Sequence, residues 1–227
     1  FTKRKVYFLN IKNNLWMFNR NRRIVIRHKI TIRSMLMNYL LVSDIFGKTA
    51  HLSLLAQQLR DKVSLCDPYM GEIQLPINEQ FQYQHFMTQC GHDSYFELVH
   101  LKMATIRQPT TIIAFSAGAA AVWRAQAELK NSFIKKIIAF YPSQVRHHLE
   151  LEANVPCRFI FPHSEEHFDI KPVIASLKSK ARVSCEIADY GHGFMNPLSE
   201  NFNQLGYQQF TEQLLKECCN SELVPND

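Results

Sequence analysis

From residue 38 onward, short apolar runs alternate along the chain with longer segments whose apolar residues recur at helical spacing. The runs are rich in β-branched and aromatic residues, which is typical of strands: 39–45, 63–68, 110–116, 134–142, 157–162 and 183–189. Helices are predicted over 49–62, 117–130, 170–180 and 199–219. Because most strand candidates are apolar throughout, we expect a mostly parallel sheet with helices on both faces, a three-layer α/β sandwich.

Two stretches depart from this alternation. Residues 68–105 begin with a Pro- and Gly-containing segment and continue with helical patterns, and such an excursion in a compact α/β domain is typical of a lid over a pocket. Residues 1–36 are the other exception, and within them 22–33 alternate as an edge strand would. We therefore divide the chain into an N-terminal arm, 1–36, and one domain, 37–227, and leave open whether the arm belongs to the functional protein.

The positive charge of the chain is concentrated in the arm. The net charge is +6, but ten of the 26 Lys and Arg residues lie in residues 1–33, which contain no acidic residue. The domain itself is mildly acidic, so we expect no nucleic acid as a partner. We also expect no membrane association, since no stretch approaches the roughly 18 to 20 apolar residues that span a bilayer. The six cysteines form no CxxC pair, which favours free thiols in a cytoplasmic protein.

The segment TTIIAFSAGAAAVW places a serine between a strand and a helix. The β-branched run ends at Ser116, and small residues, Ala117 and Gly118 first among them, begin a helix directly afterwards. A nucleophile elbow requires this arrangement, because small neighbours let strand and helix approach closely. The usual pattern is GxSxG, and here Ala114 replaces the first glycine. The alternative is that Ser116 only caps the helix, a common role for serine.

A candidate general base follows the last predicted strand. In ADYGHGFMNP, His192 lies between Gly191 and Gly193, so that a loop presents the imidazole. The chain order serine, acid, histidine matches that of the elbow-containing hydrolases. In such a triad, His192 takes the proton of Ser116 during attack and returns it to the leaving group.

The acid should lie in HSEEHFD, which follows the strand CRFIFP. Glu165, Glu166 and Asp169 all compete for the role. The same letters contain an HxxEH pattern, formed by His163, Glu166 and His167, that matches a zinc-protease signature. We reject a metal site, because both histidines would have to share one face of a helix and this stretch follows a strand in a turn.

An oxyanion hole needs two backbone amides that face the developing negative charge. Ala117 supplies one by its position after the nucleophile. The second should come from DIFGKT, the loop after the first core strand, where Ile45 and Phe46 precede the first helix. Asp44, at the end of the same strand, should then face the substrate pocket together with Phe46.

The motifs DIFG, AFSAG, SEEHFD and YGHGFMNP together resemble the dienelactone hydrolase family over residues 37–216. The last motif is the most specific, since family members carry a similar GHGF segment around the catalytic histidine. The resemblance implies the α/β-hydrolase fold and places the triad acid at Glu166. It also places the family's strand-end carboxylate at Asp44 and the oxyanion amides at Ile45 and Ala117.

The resemblance has departures that bear on the substrate. The best-known members use a cysteine nucleophile where this chain has Ser116, which implies a general ester hydrolase. Asp44 replaces a glutamate, and Glu166 an aspartate. Arg107 and Arg124 are the candidates for the arginines that hold the substrate carboxylate in that family.

These observations predict a cytoplasmic hydrolase, monomeric or homodimeric, that cleaves a small carboxylic ester or lactone through an acyl-enzyme without metal or cofactor. A peptidase or acyltransferase on the same fold is an alternative, because fold and triad do not determine the acyl donor or acceptor. A catalytically silent binding module is a further alternative, and it would not require Ser116, His192 and an acid to converge.

Overall fold

The structure of this chain is a computed structural model. It describes residues 7–11, 14–18, 28–29, 38–59, 62–74 and 78–220. The chain divides into two compact units, residues 1–35 and residues 36–227.

The described residues of the first unit form three short antiparallel strands. Their bounds are β1 (Tyr7–Ile11), β2 (Asn14–Phe18) and β3 (His28–Lys29). β2 pairs with both of the others. Apart from β3, the edge strand expected over 22–33 lies outside the described residues.

The second unit is built on a parallel sheet of six strands. They are β4 (Asn38–Val42), β5 (Lys62–Cys66), β6 (Thr110–Phe115), β7 (Ile134–Phe140), β8 (Cys157–Phe161) and β9 (Val183–Ile187). Their order across the sheet is β5-β4-β6-β7-β8-β9, and every neighbouring pair is parallel. All six strands expected from the apolar runs are present, and the predicted α/β class is confirmed.

Helices cover both faces of this sheet. They are α1 (Ala50–Gln58), α2 (Glu79–Gln89), α3 (Gly91–Ala104), α4 (Ser116–Glu128), α5 (Ile170–Lys178) and α6 (Gln204–Asn220). Alternate residues of each strand enter opposite layers of the core, as the pleat requires. Leu40 and Val42 pack with residues of α3, α4 and α5, whereas Tyr39 and Leu41 pack with residues of α1 and α6.

The predicted lid is an ordered part of this core over much of its length. In α3, Tyr95, Val99 and Met103 are fully buried and pack against the sheet. Helix α2 begins at an N-cap, Asn78, and also buries Phe86. Residues 91–104 are therefore a crossover helix between β5 and β6 rather than a lid. None of the helices in the described part of the chain has the length and apolar character that a bilayer-spanning helix requires.

Candidate active site

Ser116 lies on a sharp turn at the carboxyl edge of the sheet, where β6 ends and α4 begins. Its backbone φ is +47°, a left-handed conformation that non-glycine residues rarely adopt and that marks local strain. Gly118 explains how the turn can close, because a Cβ at that position would overlap the carbonyl oxygen of Ser43 and the side chain of Val42 at the end of β4. Gly118, two residues after the serine, therefore allows α4 to approach the sheet.

His192 reaches Ser116 from the loop after β9. Its Nε2 lies 2.9 Å from Ser116 Oγ. Gly193, with φ of +86°, allows this loop to fold tightly, because a Cβ there would overlap the side chain of Ser199. The ring of His192 also packs against Tyr141, with 5.0 Å between the ring centroids. The structure thus brings together the two residues that the sequence predicted as nucleophile and base.

The carboxylate that contacts His192 is Glu165. Its Oε1 lies 2.8 Å from His192 Nδ1, and its side chain is only 10% exposed. The expected pairing with Glu166 is wrong by one position, since the side chains of neighbouring loop residues diverge and Glu166 is exposed. Asp169 is exposed as well and caps α5 by accepting a hydrogen bond from the Lys171 amide at 2.9 Å.

Two backbone amides are available beside the serine. Among the described residues, no hydrogen bond from the Ile45 amide is found, and the Ala117 amide lies in the first turn of α4, where amides have no partner within the helix; an oxyanion hole requires such free amides. Two hydrogen bonds fix the loop that carries Ile45. The Ile45 carbonyl accepts them from Tyr69 Oη at 2.6 Å and from Gln82 Nε2 at 2.9 Å. Gln82 is buried and also donates to Tyr69 Oη at 2.8 Å.

Asp44 is buried near the start of the loop that follows β4. Its carboxyl group accepts hydrogen bonds from the Phe46 amide at 3.0 Å and from Asn196 Nδ2 at 2.6 Å. Burial raises the pKa of Asp44 from 3.8 to about 6, even though both hydrogen bonds and the proximity of His192 lower it. Asp44 is therefore a second carboxyl group close to the candidate triad.

A small pocket lies next to these residues. Its lining consists of Ser43, Asp44, Gly47, Thr49, His51, Leu52, Phe115 and Tyr141. Asp44 is one of these residues. Phe46 is not: its side chain is buried, and only its amide contributes, by holding Asp44.

Helix α2 connects two of the loops that form the site. Gln82 binds the carbonyl of Ile45, as described above. Glu79, one turn earlier, accepts hydrogen bonds from Ser199 Oγ at 3.0 Å and from the Glu200 amide at 3.1 Å, in the loop that continues from His192.

The two arginines proposed as carboxylate ligands are engaged elsewhere. Arg124 pairs with Asp93 at 2.9 Å and stacks on Phe96, and Arg107 donates to the carbonyl groups of Ala104 and Ile106.

The segment with the HxxEH pattern, residues 163–167, forms a loop rather than a helix. Within the described residues, no group of three or more His, Cys, Asp or Glu side chains could hold a metal ion.

Sequence reasoning missed several residues of the site: His51, Gln82, Tyr141 and Asn196. Two of them carried a signal. Tyr141 comes directly after β7, at the same edge of the sheet as Ser116, and Asn196 lies within the GHGFMNP segment. Gln82 carried none, because a buried glutamine on a helix resembles an exposed one in sequence.

No family model matches the chain, and no curated protein sequence does so either. Several solved structures, in contrast, are similar to this chain. A protein assigned as a dienelactone hydrolase from Klebsiella pneumoniae subsp. pneumoniae has a TM-score of 0.60 at 15% identity, with 82% of this chain and 88% of that chain covered. For a dienelactone hydrolase-like promiscuous phosphotriesterase from metagenomic libraries, the TM-score is 0.54 at 11% identity, with 81% and 86% covered.

A third solved structure, Est1E from Butyrivibrio proteoclasticus, has a TM-score of 0.51 at 11% identity, with 97% of this chain and 99% of that chain covered. At these identities the similarity concerns the fold. The chain therefore has the α/β-hydrolase fold, in a form that it shares with dienelactone hydrolase-like structures.

Proposed function

We propose that this protein is a serine hydrolase that cleaves small carboxylic esters or lactones. The observation that carries the proposal is the chain of hydrogen bonds Ser116–His192–Glu165, with distances of 2.9 and 2.8 Å between residues that are 76 and 27 positions apart in sequence. A helix cap would explain Ser116 alone, but it would not explain a histidine and a carboxylate aligned behind it.

In the proposed reaction, Ser116 Oγ attacks the ester carbonyl carbon and its proton passes to His192 Nε2. Glu165 holds the proton on Nδ1 and stabilises the imidazolium. The amides of Ile45 and Ala117 stabilise the oxyanion. His192 then protonates the leaving alcohol as the carbon–oxygen bond breaks. A water molecule then attacks the acyl carbon and gives a proton to His192. The bond between the acyl carbon and Ser116 Oγ breaks, His192 returns the proton to Oγ, and the acid is released.

The strain at Ser116 and the space made by Gly118 support the same proposal. A non-glycine residue at φ +47° costs of order 1 to 3 kcal/mol, which a simple strand-to-helix junction has no need to spend. In a hydrolase, this conformation exposes the nucleophile at the edge of the sheet.

The test is hydrolysis of p-nitrophenyl acetate and butyrate by the wild type and by Ser116→Ala, together with labelling by a fluorophosphonate and mass spectrometry of the adduct. We expect an adduct on Ser116 and a fall in kcat of at least about 10⁴-fold in the variant. Ser132→Ala is the matched control, because Ser132 is exposed in the turn before β7, at the opposite edge of the sheet. Equal rates in wild type and Ser116→Ala, without an adduct, would contradict the proposal.

A further inference from the structure

The pocket beside Ser116 contains polar groups that the proposed reaction does not use. Tyr141 is 1% exposed, and its hydroxyl group has no hydrogen-bond partner among the described residues. A buried hydroxyl without a partner costs about 1 to 3 kcal/mol, so such groups are usually explained by a role. Its backbone φ of +38° adds a second departure from ordinary geometry at the same residue.

His51 is the second unused group in this lining. Thr49 Oγ1 accepts a hydrogen bond from the Leu52 amide and lies 2.8 Å from His51 Nδ1. Because the oxygen of Thr49 already accepts one hydrogen bond, its hydroxyl proton is donated to His51 Nδ1. Nδ1 then carries no proton, and the proton of the neutral imidazole lies on Nε2. Burial lowers the pKa of His51 to about 4, so that the ring is uncharged near neutral pH.

The charges of the lining restrict what it can accept. Its eight residues include one carboxyl group, Asp44, and no Lys or Arg. A carboxylate of the substrate would meet Asp44 without a compensating cation. Both Asp44 oxygens are already bound to neutral donors, Phe46 and Asn196. The remaining groups, Tyr141 Oη–H and His51 Nε2–H, are both uncharged donors.

From this lining we infer that the pocket binds the acyl part of the ester through an uncharged oxygen acceptor, such as a ketone, ether or hydroxyl oxygen. The pocket is adjacent to the reacting group, because the ring of Tyr141, which lines the pocket, packs against the ring of His192 with 5.0 Å between their centroids. The inference rests on the proposed ester hydrolysis and narrows its substrate class. It sets this protein apart from a hydrolase that selects carboxylated lactones.

The test compares four phenyl esters of related acyl chains by release of phenol, with the enzyme-free rate subtracted. They are phenyl pentanoate, phenyl 4-oxopentanoate, phenyl hydrogen butanedioate and phenyl 4-(trimethylammonio)butanoate. We expect kcat/KM at pH 8 to be about fivefold higher for the oxo ester than for the pentanoate, the effect of one or two uncharged hydrogen bonds, and to be lowest for the anionic ester.

Two variants assign the effect to the pocket. Tyr141→Phe should reduce the preference for the oxo ester to below about twofold, since one donor is lost. Asp44→Asn should raise the relative use of the anionic ester about fivefold, because the opposing charge is removed. Tyr83→Phe is the control tyrosine, half-exposed on α2, and should keep the wild-type ratios. Circular dichroism and thermal unfolding check that each variant is folded.

Each result decides the inference. A preference for the anionic or the cationic ester, or an oxo preference that survives in Tyr141→Phe, would overturn the substrate class while leaving the hydrolase in place. If phenyl pentanoate itself is not cleaved, the proposed function fails first and the inference falls with it.

Discussion

Ser116 lies between two groups of polar side chains that differ in how their charges are compensated. On one side, Glu165 contacts His192, which contacts Ser116, so that both ring nitrogens of the histidine have a partner. On the other side, Asp44 is held by neutral donors alone, and its pKa rises to about 6. Within the part of the chain that the structure describes, Tyr141 Oη has no hydrogen-bond partner, and His51 is paired only through Nδ1. Under the proposed function, the side of Glu165 serves proton transfer within the protein, whereas the side of Asp44 receives a polar group of the substrate.

The greatest loss of kcat is expected from a change at Glu165, and it tests which carboxylate pairs with His192 in the proposed triad. Glu165→Gln keeps the shape of the side chain but removes the charge that stabilises the imidazolium, so kcat should fall by about 10³- to 10⁴-fold. Glu166→Gln is the matched control, because Glu166 is exposed one residue further along the same loop, and its kcat should stay within about twofold. Steady-state kinetics on p-nitrophenyl butyrate measures both. A larger loss in Glu166→Gln would return the acid to the position first expected from sequence.

The next effect tests the side of Asp44 through pH. Asp44 ionises near 3.8 in the unfolded chain and near 6 in the folded protein, so the folded protein retains a proton that the unfolded chain loses. The contribution of Asp44 to the free energy of unfolding should therefore fall by about 3 kcal/mol in total as the pH rises past both values. His51 has the opposite sign, because its pKa is about 4 when folded and 6.5 when unfolded, so its contribution is lost as the pH falls.

Two variants separate these contributions. As the pH rises from 4 to 7, the stability of Asp44→Asn relative to the wild type should increase by about 2 kcal/mol, whereas that of His51→Gln relative to the wild type should decrease by about 3 kcal/mol. Urea unfolding at the two pH values measures this, and comparing each variant with the wild type at the same pH cancels the other titrating groups. Identical pH dependence in the two variants would contradict the assigned burial of these side chains.

The smallest loss of kcat is expected from a change at Gln82, whose side chain binds the loop that carries Ile45. Gln82→Ala removes the donor that holds the Ile45 carbonyl, so kcat should fall about tenfold with KM nearly unchanged, and the free energy of unfolding should fall by about 2 kcal/mol. Gln84→Ala is the control, since Gln84 is exposed on the same helix. A kcat in Gln82→Ala equal to that of Gln84→Ala would show that Gln82 serves stability alone.

The sequence predicted the sheet and the two central residues of the site because both depend on local pattern. Continuous apolar runs marked the strands. Small residues, Ala117 and Gly118, followed the strand that ends before Ser116, and two glycines flanked His192. The choice of the acid failed, since the loop after β8 has no periodicity that separates Glu165 from Glu166. The lid prediction failed over α3 for a related reason: an irregular start at residue 68 gave no sign that Tyr95, Val99 and Met103 would pack into the core. Tyr141 and His51 depend on long-range packing, which no local pattern records.

Glu79 and Gln82 give helix α2 a part in the cooperativity of the molecule. The hydrogen bonds of Glu79 to Ser199 and Glu200 join segments about 120 positions apart, and Gln82 joins the same helix to the loop of Ile45. Amide hydrogens of α2 and of residues 191–200 should therefore exchange with solvent in one common opening event rather than in two. Limited proteolysis within α2 would then expose residues 191–200 and the loop of Ile45 to further cleavage together, while the six strands of the sheet remain protected.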